Sequence, residues 1–404
     1  MTTTAARAAD NATTATRPAW FPAAAAVFAC GWGGNQFTPL LVMYKDAGYS
    51  TFTVDALLGA YVIGLVPGLL LSGRLSNRYG RRPVMLAGTM LSLAASALIA
   101  LGPLGIAWIA AGRFATGVAV AVAMAVGSTW IKELSDAVPG GAPDLGTRRA
   151  ALCLTLGLGI GPGAAGVLAQ WAPWPMVLPF AVHIGLTAMA LGFAWRGRET
   201  LGQAATLPRT RPVTTRHPRF RQVILPMAPW IFGSCGVAYA IMPQLVDDQL
   251  GSWSLAYSTL LTVCAVGAGV GIQPIAKRVD RATSARAVLT GMTVLCAGLA
   301  LSAVAAAVRS PWLALATALV LGTAYGIAVV SGLLELQRLA RPNEIAELTG
   351  IYYALAYIGF LLPSLLAALS AVAGYPVLLG GLAVVALAGT LVIARHSRSH
   401  LPVT

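Results

Sequence analysis

Long apolar runs joined by short polar connections set the pattern of this chain. Twelve runs stand out, at roughly 20–44, 54–72, 84–101, 104–131, 150–170, 174–195, 222–246, 253–275, 287–308, 311–337, 348–371 and 375–394. Each is about as long as the ~20 residues a helix needs to cross a bilayer. Several contain Gly and Pro, which membrane helices tolerate where neighbours re-satisfy the backbone. The pattern predicts an all-α membrane protein with twelve transmembrane helices.

Charge sets the orientation. With the N-terminus inside the cell, the inward-facing segments carry 24 of the 27 Lys and Arg residues, while Lys45 and Arg309 fall outside and Arg113 falls within a span. The connections 102–103, 171–173 and 372–374 hold no charge. Cationic loops stay cytoplasmic, so both termini are expected on the inner side of the cell (inner or plasma) membrane. Residues 196–221 collect Arg196, Arg198, Arg209, Arg211, Arg216, Arg219 and Arg221 with prolines and no apolar run. They read as a linker between two six-helix bundles. The expected organisation is a cytoplasmic tail 1–19, a bundle 20–195, the linker 196–221, a bundle 222–394 and a cytoplasmic tail 395–404.

Composition excludes most other classes. The 404 residues are 57% hydrophobic and 10% charged, against about 25% charged in soluble domains. A net charge of +14 would suggest nucleic acid in a soluble protein. Here the cations sit in loops, which implies membrane lipid headgroups as partners and no nucleic acid. Cys30, Cys153, Cys235, Cys264 and Cys296 all fall in apolar runs without metal-ligand or disulfide spacing. Residues 1–18 lack the apolar core and cleavage site of a signal peptide. There is no Gly-x4-Gly-Lys-Ser/Thr phosphate loop and no Ser/His/Asp or zinc constellation. The chain is therefore read as no enzyme, with no metal and no cofactor, and any work it does must draw on an ion gradient.

The stretch from Gly73 to Pro83 holds four arginines and two glycines between two apolar runs, and reads as a tight basic turn. It resembles the loop signature of the major facilitator superfamily, Gly-x-Leu-x-Asp-Arg-x-Gly-Arg-Arg. Gly73, Leu75, Arg78, Gly80, Arg81 and Arg82 match, and Asn77 stands where the family has Asp. A shift of 203 residues carries Asn77 to Asp280, Arg78 to Arg281 and Gly88 to Gly291. A degraded second copy of the turn is thus expected between spans eight and nine, as in a fold of two pseudo-symmetric six-helix bundles.

Arg113 lies about nine residues into span four, and so costly a charge at that depth usually faces a protein-lined cavity. With Gly117 it resembles the family's fourth-span signature, whose arginine is linked to proton coupling. Asn35 and Gln36 fall at similar depth in span one, so Arg113 is expected to bond to one of them or to nearby span-one backbone. A plain helix–helix clamp is the alternative. In span five, Gly157, Gly161, Pro162, Ala165 and Gly166 resemble the signature that the family associates with drug:proton antiporters. Small residues at this spacing let helices approach closely, and Pro kinks the helix.

Acidic residues in or beside spans are few. Glu335 and Glu133, near matching ends of spans ten and four, are candidates with Arg113 for proton coupling; alternatively Arg338 and Lys132 neutralise them at the interface. Asp46, Asp55, Asp247 and Asp248 read as a solvated rim, and His183 as a packing histidine or a titrating group. The resemblance implies a central cavity walled by spans one, four, seven and ten. Trp32, Asn35, Gln36, Phe37, Tyr239, Gln244 and Tyr325 are offered there as substrate-binding residues, with Tyr353 from span eleven. Each is equally open to a reading as packing. Such a lining suits small hydrophobic or cationic compounds. The expected function is proton-coupled efflux of these compounds by alternating access, performed by a monomer. The alternatives are a symporter or uniporter importing a small metabolite, and a non-transporting membrane sensor.

Overall fold

The computed structural model describes residues 18–137, 145–201, 213–341, 344–399 and 401, and among them it is helical with no named strand. Most of the expected N-terminal tail, linker residues 202–212, and residues 400 and 402–404 of the expected C-terminal tail lie outside the described residues. The spans are α1 (Phe21–Asn35), α2 (Thr51–Tyr79), α3 (Arg81–Ala100), α4 (Ile106–Asp136), α5 (Leu145–Trp171) and α6 (Leu178–Trp195). They continue as α7 (Phe220–Leu245), α8 (Ser254–Val279), α9 (Arg286–Val308), α10 (Pro311–Leu339), α11 (Glu347–Leu369) and α12 (Tyr375–His396).

Among the described residues, eleven helices are long and apolar enough to cross a membrane. The remaining span, α1, is broken. Its helix stops at Asn35 and resumes as a 3-10 turn over Thr38–Leu40 and a short helix over Leu41–Asp46. Pro39 accounts for the break: it lacks an N–H, and its ring would strike the carbonyl four residues back, that of Asn35. Broken helices are tolerated at membrane depth where protein encloses the gap. Here Thr38 Oγ1 donates to Asn35 Oδ1 at 2.9 Å, and Asn35 Nδ2 donates to the Leu158 carbonyl at 2.9 Å.

The spans form two bundles, α1–α6 and α7–α12. In the first, α2 packs along α4, α1 along α5, and α3 against α4 and α6. In the second, α10 packs against α8, α9 and α7, and α9 against α12. The two bundles meet along α2–α11 and α5–α8. Glycine lets the tight pairs touch backbone to backbone. A Cβ on Gly117 would sit 2.8 Å from the Leu65 nitrogen across α4–α2, and one on Gly322 2.7 Å from Ala265 Cα across α10–α8. Large apolar side chains such as Ile63, Met189 and Val384 stay exposed on the outward faces, as contact with hydrocarbon requires.

The basic turn is shorter than its sequence suggests. Residues 73–79 continue α2, and α3 begins at Arg81, so the turn is Gly80 alone, at φ +104°. Only glycine takes that backbone without strain, and a side chain there would collide with the Glu199 carboxylate. In the second bundle, Asp280 to Ala285 separate α8 from α9, a looser connection.

His183 on α6 is fully buried. Its Nδ1 lies 2.7 Å from Ser96 Oγ and its Nε2 2.9 Å from the Ala29 carbonyl, while Gln36 Nε2 donates to the same Ser96 oxygen at 3.1 Å. The network assigns the proton to Nε2. The imidazole thus pins α1, α3 and α6 together as a satisfied packing group.

Candidate functional site

Arg113 is held in the middle of the first bundle. It is 1% exposed. Its guanidinium carbon lies over two aromatic faces, 4.7 Å from the Phe37 ring centre and 4.6 Å from that of Tyr61. Nε approaches the Leu57 carbonyl at 3.5 Å, and Nη1 is buried with no hydrogen-bond partner. The expected bond to Asn35, Gln36 or span-one backbone is not seen; the backbone contact is to Leu57, on span two. Span one contributes the Phe37 face instead, because the break after Asn35 turns that ring inward and the Asn35 amide is already spent on Leu158.

The guanidinium borders a cavity of about 40 Å³ between the bundles. Its wall includes Asn35, Thr38, Leu58, Tyr61 and Leu158 from the first bundle, and Phe232, Tyr239, Tyr325, Tyr357 and Phe360 from the second. Phe232 stacks on Tyr357 with centroids 4.0 Å apart, and Tyr61 meets Tyr357 edge-on at 6.0 Å. A π turn over Val237–Ile241 in α7 carries Tyr239 to the wall; such turns often mark functional positions. Drug-sized sites measure about 300–1,000 Å³, several times this volume.

The residues named from sequence divide accordingly. Asn35, Tyr239 and Tyr325 line the cavity, and Phe37 supports Arg113. Gln36 is fully buried in the histidine network. Trp32 lays its backbone against α5, and Tyr353 meets Tyr352 edge-on at 5.4 Å away from the wall. Gln244 donates instead to Asp55 Oδ1 at 2.9 Å. Asp55 is the plainest departure: expected on a solvated rim, it is 0% exposed. Apolar periodicity does not mark such a residue, because a lone Asp early in a span also fits an exposed helix start.

The α5 glycines sit at contacts. A Cβ on Gly157 would lie 2.9 Å from the Trp32 nitrogen and one on Gly161 2.7 Å from its carbonyl oxygen, so this face seats α1. Gly166 faces the other bundle, where a Cβ would come 2.7 Å from Thr259 Cβ on α8. Pro162 lies inside the helix.

At the basic end the carboxylates are paired. Arg81 donates through Nε and Nη2 to Glu133 at 3.2–3.3 Å and through Nη1 to Ser76 Oγ at 3.0 Å and Asn77 Oδ1 at 2.6 Å. Asn77 thus serves as a neutral acceptor, and Glu133 is matched by Arg81, while Lys132 pairs with Asp136 at 2.6 Å. Arg82 reaches the Trp195 carbonyl. Gly73 and the exposed Arg78 lie on the last turns of α2. The degraded copy keeps the tie with its polarity reversed: Asp280 accepts from Arg338 at the end of α10, and Arg281 offers Arg338 its carbonyl at 3.4 Å.

Glu335 is not among the cavity's lining residues, and the expected partner Arg338 lies 3.6 Å from its Oε1. Arg219 binds the Glu335 carboxylate through two parallel bonds, Nε–Oε2 at 2.7 Å and Nη2–Oε1 at 2.8 Å, with the side chains 0% and 1% exposed. Arg219 Nη1 also donates to the carbonyls of Ser397 and Ser399 at 3.2 and 3.1 Å. Reading Arg219 as linker missed this. The clue was that a carboxylate within an apolar span needs a nearby cation.

Glu199 caps α3. Partial burial pushes its carboxyl up, but the N–H groups of Leu201, Arg81, Arg82 and Thr200 outweigh that and hold it below the usual carboxylate range. A lowered folded value means this contribution is present above the unfolded carboxylate range and is lost as pH falls through the folded one. Glu199→Gln should cost about 0.5 kcal/mol at neutral pH, discounted for an exposed group. In detergent melts the gap from wild type should narrow as pH falls below the ordinary carboxylate range.

A larger apolar groove of about 360 Å³ lies between α1, α5 and α6, lined by Trp20, Phe28, Cys153, Met189 and Phe193 among others. It belongs to one bundle and shares no residue with the central site.

Comparison with known proteins agrees with this architecture. The family model described as Major Facilitator Superfamily matches residues 23–362. A chloramphenicol resistance protein of Pseudomonas aeruginosa is 24% identical over 288 residues, 67% of this chain and 64% of that protein's own length, slightly under two thirds. The crystal structure of a D-xylose–proton symporter superposes with a TM-score of 0.70 at 13% identity, covering 95% of this chain and 97% of that one, a likeness of fold. Two six-helix bundles, a one-glycine basic turn between α2 and α3 and a family match over most of the length lead to one assignment: the chain is a multi-pass membrane protein of the major facilitator superfamily.

Proposed function

We propose that the protein exports small, hydrophobic, uncharged compounds in exchange for protons, by rocking its two bundles about the central cavity. The observation that carries this reading is the closed aromatic cavity at the bundle junction with one buried, unpaired guanidinium in its wall. Such a wall recognises a flat apolar body by stacking and an acceptor group by the free N–H of Arg113. Of the two classes expected from sequence, cationic compounds fit less well. No carboxylate is among the described lining residues, and Arg113 repels a second positive charge.

The basic end is taken as cytoplasmic, in a cell membrane, with both termini inside. The chain then works as a monomer on the proton gradient alone. The direction of transport draws support from the chloramphenicol resistance relative and from the antiporter-like glycine pattern of α5. The test is everted vesicles with an imposed pH gradient and a fluorescent hydrophobic substrate. Export predicts uptake into vesicles that are acidic inside, collapsing with a protonophore. Substrate moving down the proton gradient instead would establish import, and no movement with any of a panel of neutral, anionic and cationic compounds would remove transport itself.

A further inference from the structure

We propose that Asp55 is the carboxyl that takes up a proton as the two bundles close at the outer end, and that only its protonated form allows that closure. The inference rests on the transport reading above for which end is outer; the geometry stands independently.

Asp55 lies in the first two turns of α2, is 0% exposed, and touches the other bundle through Gln244 of α7. Its Oδ1 accepts one hydrogen bond from that neutral amide, and its Oδ2 is buried with no partner. No cation lies within ion-pair distance among the described residues. An ionised carboxylate so enclosed, with a single neutral donor, would forfeit several kcal/mol of hydration. A protonated one would not.

Position connects this group to both sides. Leu58, three residues on and on the same face of α2, lines the central cavity, so the carboxyl sits about 4.5 Å further along the axis. It forms a ceiling between cavity and outer water. Lys45, on the short helix after the α1 break, and Tyr375, at the start of α12, lie within electrostatic reach. Asp46 and Asp247 lie within electrostatic reach of one another beyond it, with Asp46 exposed. Further ties close the same end: Gln170 to the Ser252 carbonyl and the Ala256 N–H, both at 2.8 Å, and Trp171 edge-on to Trp253.

Parting α2 from α7 would hydrate Asp55 and let it ionise. Closing again requires a proton from outer water on one of its oxygens. When the cavity later opens to the opposite side, water reaching the ceiling from below accepts that proton and hydrates the carboxylate in its place, so it is the dry, doubly closed state that demands the protonated form. One proton is thus carried per cycle, with no other reactant.

The test measures the distance between spin labels on the exposed positions Phe52 and Trp312, one on each bundle at the outer end. It uses otherwise cysteine-free, transport-competent protein in nanodiscs. In wild type the ratio of short to long distances should rise up to tenfold per unit fall in pH, the slope of one proton. Asp55→Asn should stay short at every pH, and Asp46→Asn should titrate like wild type. Lys45→Met removes the nearby cation and should move the midpoint to higher pH; this arm keeps the test alive if the Asn variant does not fold. A wild-type titration in Asp55→Asn, loss of titration in Asp46→Asn, or an unmoved midpoint in Lys45→Met would each overturn the proposal. None of these readings needs a substrate, so failure of the efflux assay and failure here are distinguishable.

Discussion

Replacing Arg113 with Met should abolish most transport while leaving the protein as stable as wild type, or more so. Met keeps an unbranched apolar stem of comparable volume but ends two atoms short of the guanidinium nitrogens, so it removes the charge and the group that lies against Phe37 and Tyr61. Transport loses a charge-assisted donor worth about 1.5–3 kcal/mol, so the initial rate should fall about 10- to 150-fold. Stability responds the other way. The guanidinium is 1% exposed, its Nη1 has no partner and its Nε bond is long at 3.5 Å. An unpaired buried cation costs free energy, and replacing it by an apolar side chain of similar volume removes that cost. Arg113→Ala should lose transport equally but also leave a cavity beneath the two rings. Arg113→Lys keeps the charge without the planar face that stacks, and should fall between. The measurement pairs vesicle transport rates with detergent melts. Full transport by the Met variant would mean that the unpaired charge is structural.

The second large effect is on stability. Glu335→Ala strands Arg219 as a buried cation, and breaking a buried pair on one side costs about 3–5 kcal/mol. Arg219 would still hold the Ser397 and Ser399 carbonyls, so the end of α12 should stay docked while the end of α10 loosens. Removing both charges, as Glu335→Leu with Arg219→Met, should recover most of that loss, because two apolar chains replace a desolvated pair. Melting temperatures of the single and double variants decide the matter. A double variant no more stable than Glu335→Ala would show that the pair holds more than its own charges. Since Glu335 is committed to Arg219 outside the cavity, neither variant is expected to alter the pH dependence of transport in the protein that does fold.

Helix existence was legible along the chain and helix contact was not. A bilayer leaves backbone groups no partner but each other, so twelve apolar runs of adequate length already imply twelve helices. The arginine-rich turn could be found because loop cations and spans alternate. Even so, Gly80 alone makes that turn, since nothing between Gly73 and Tyr79 stops a helix, and the break in α1 falls at Asn35 because Pro39 acts four residues back. Asn35, Tyr239 and Tyr325 were reachable as cavity residues by depth and polarity. Arg219 and Asp55 were not: their roles depend on which helix end meets which, and chain order does not specify that.

Residue order was enough to establish a two-bundle membrane protein, its basic end, and a costly cation inside α4, because each follows from the price of polar groups in hydrocarbon. Three-dimensional packing alone settled that Arg113 lies against two rings without a counter-ion, that Glu335 is spent on Arg219, and that Asp55 is sealed against Gln244. Burial and pairing are properties of neighbours brought together from spans far apart in the chain, and no local pattern encodes the distance between them.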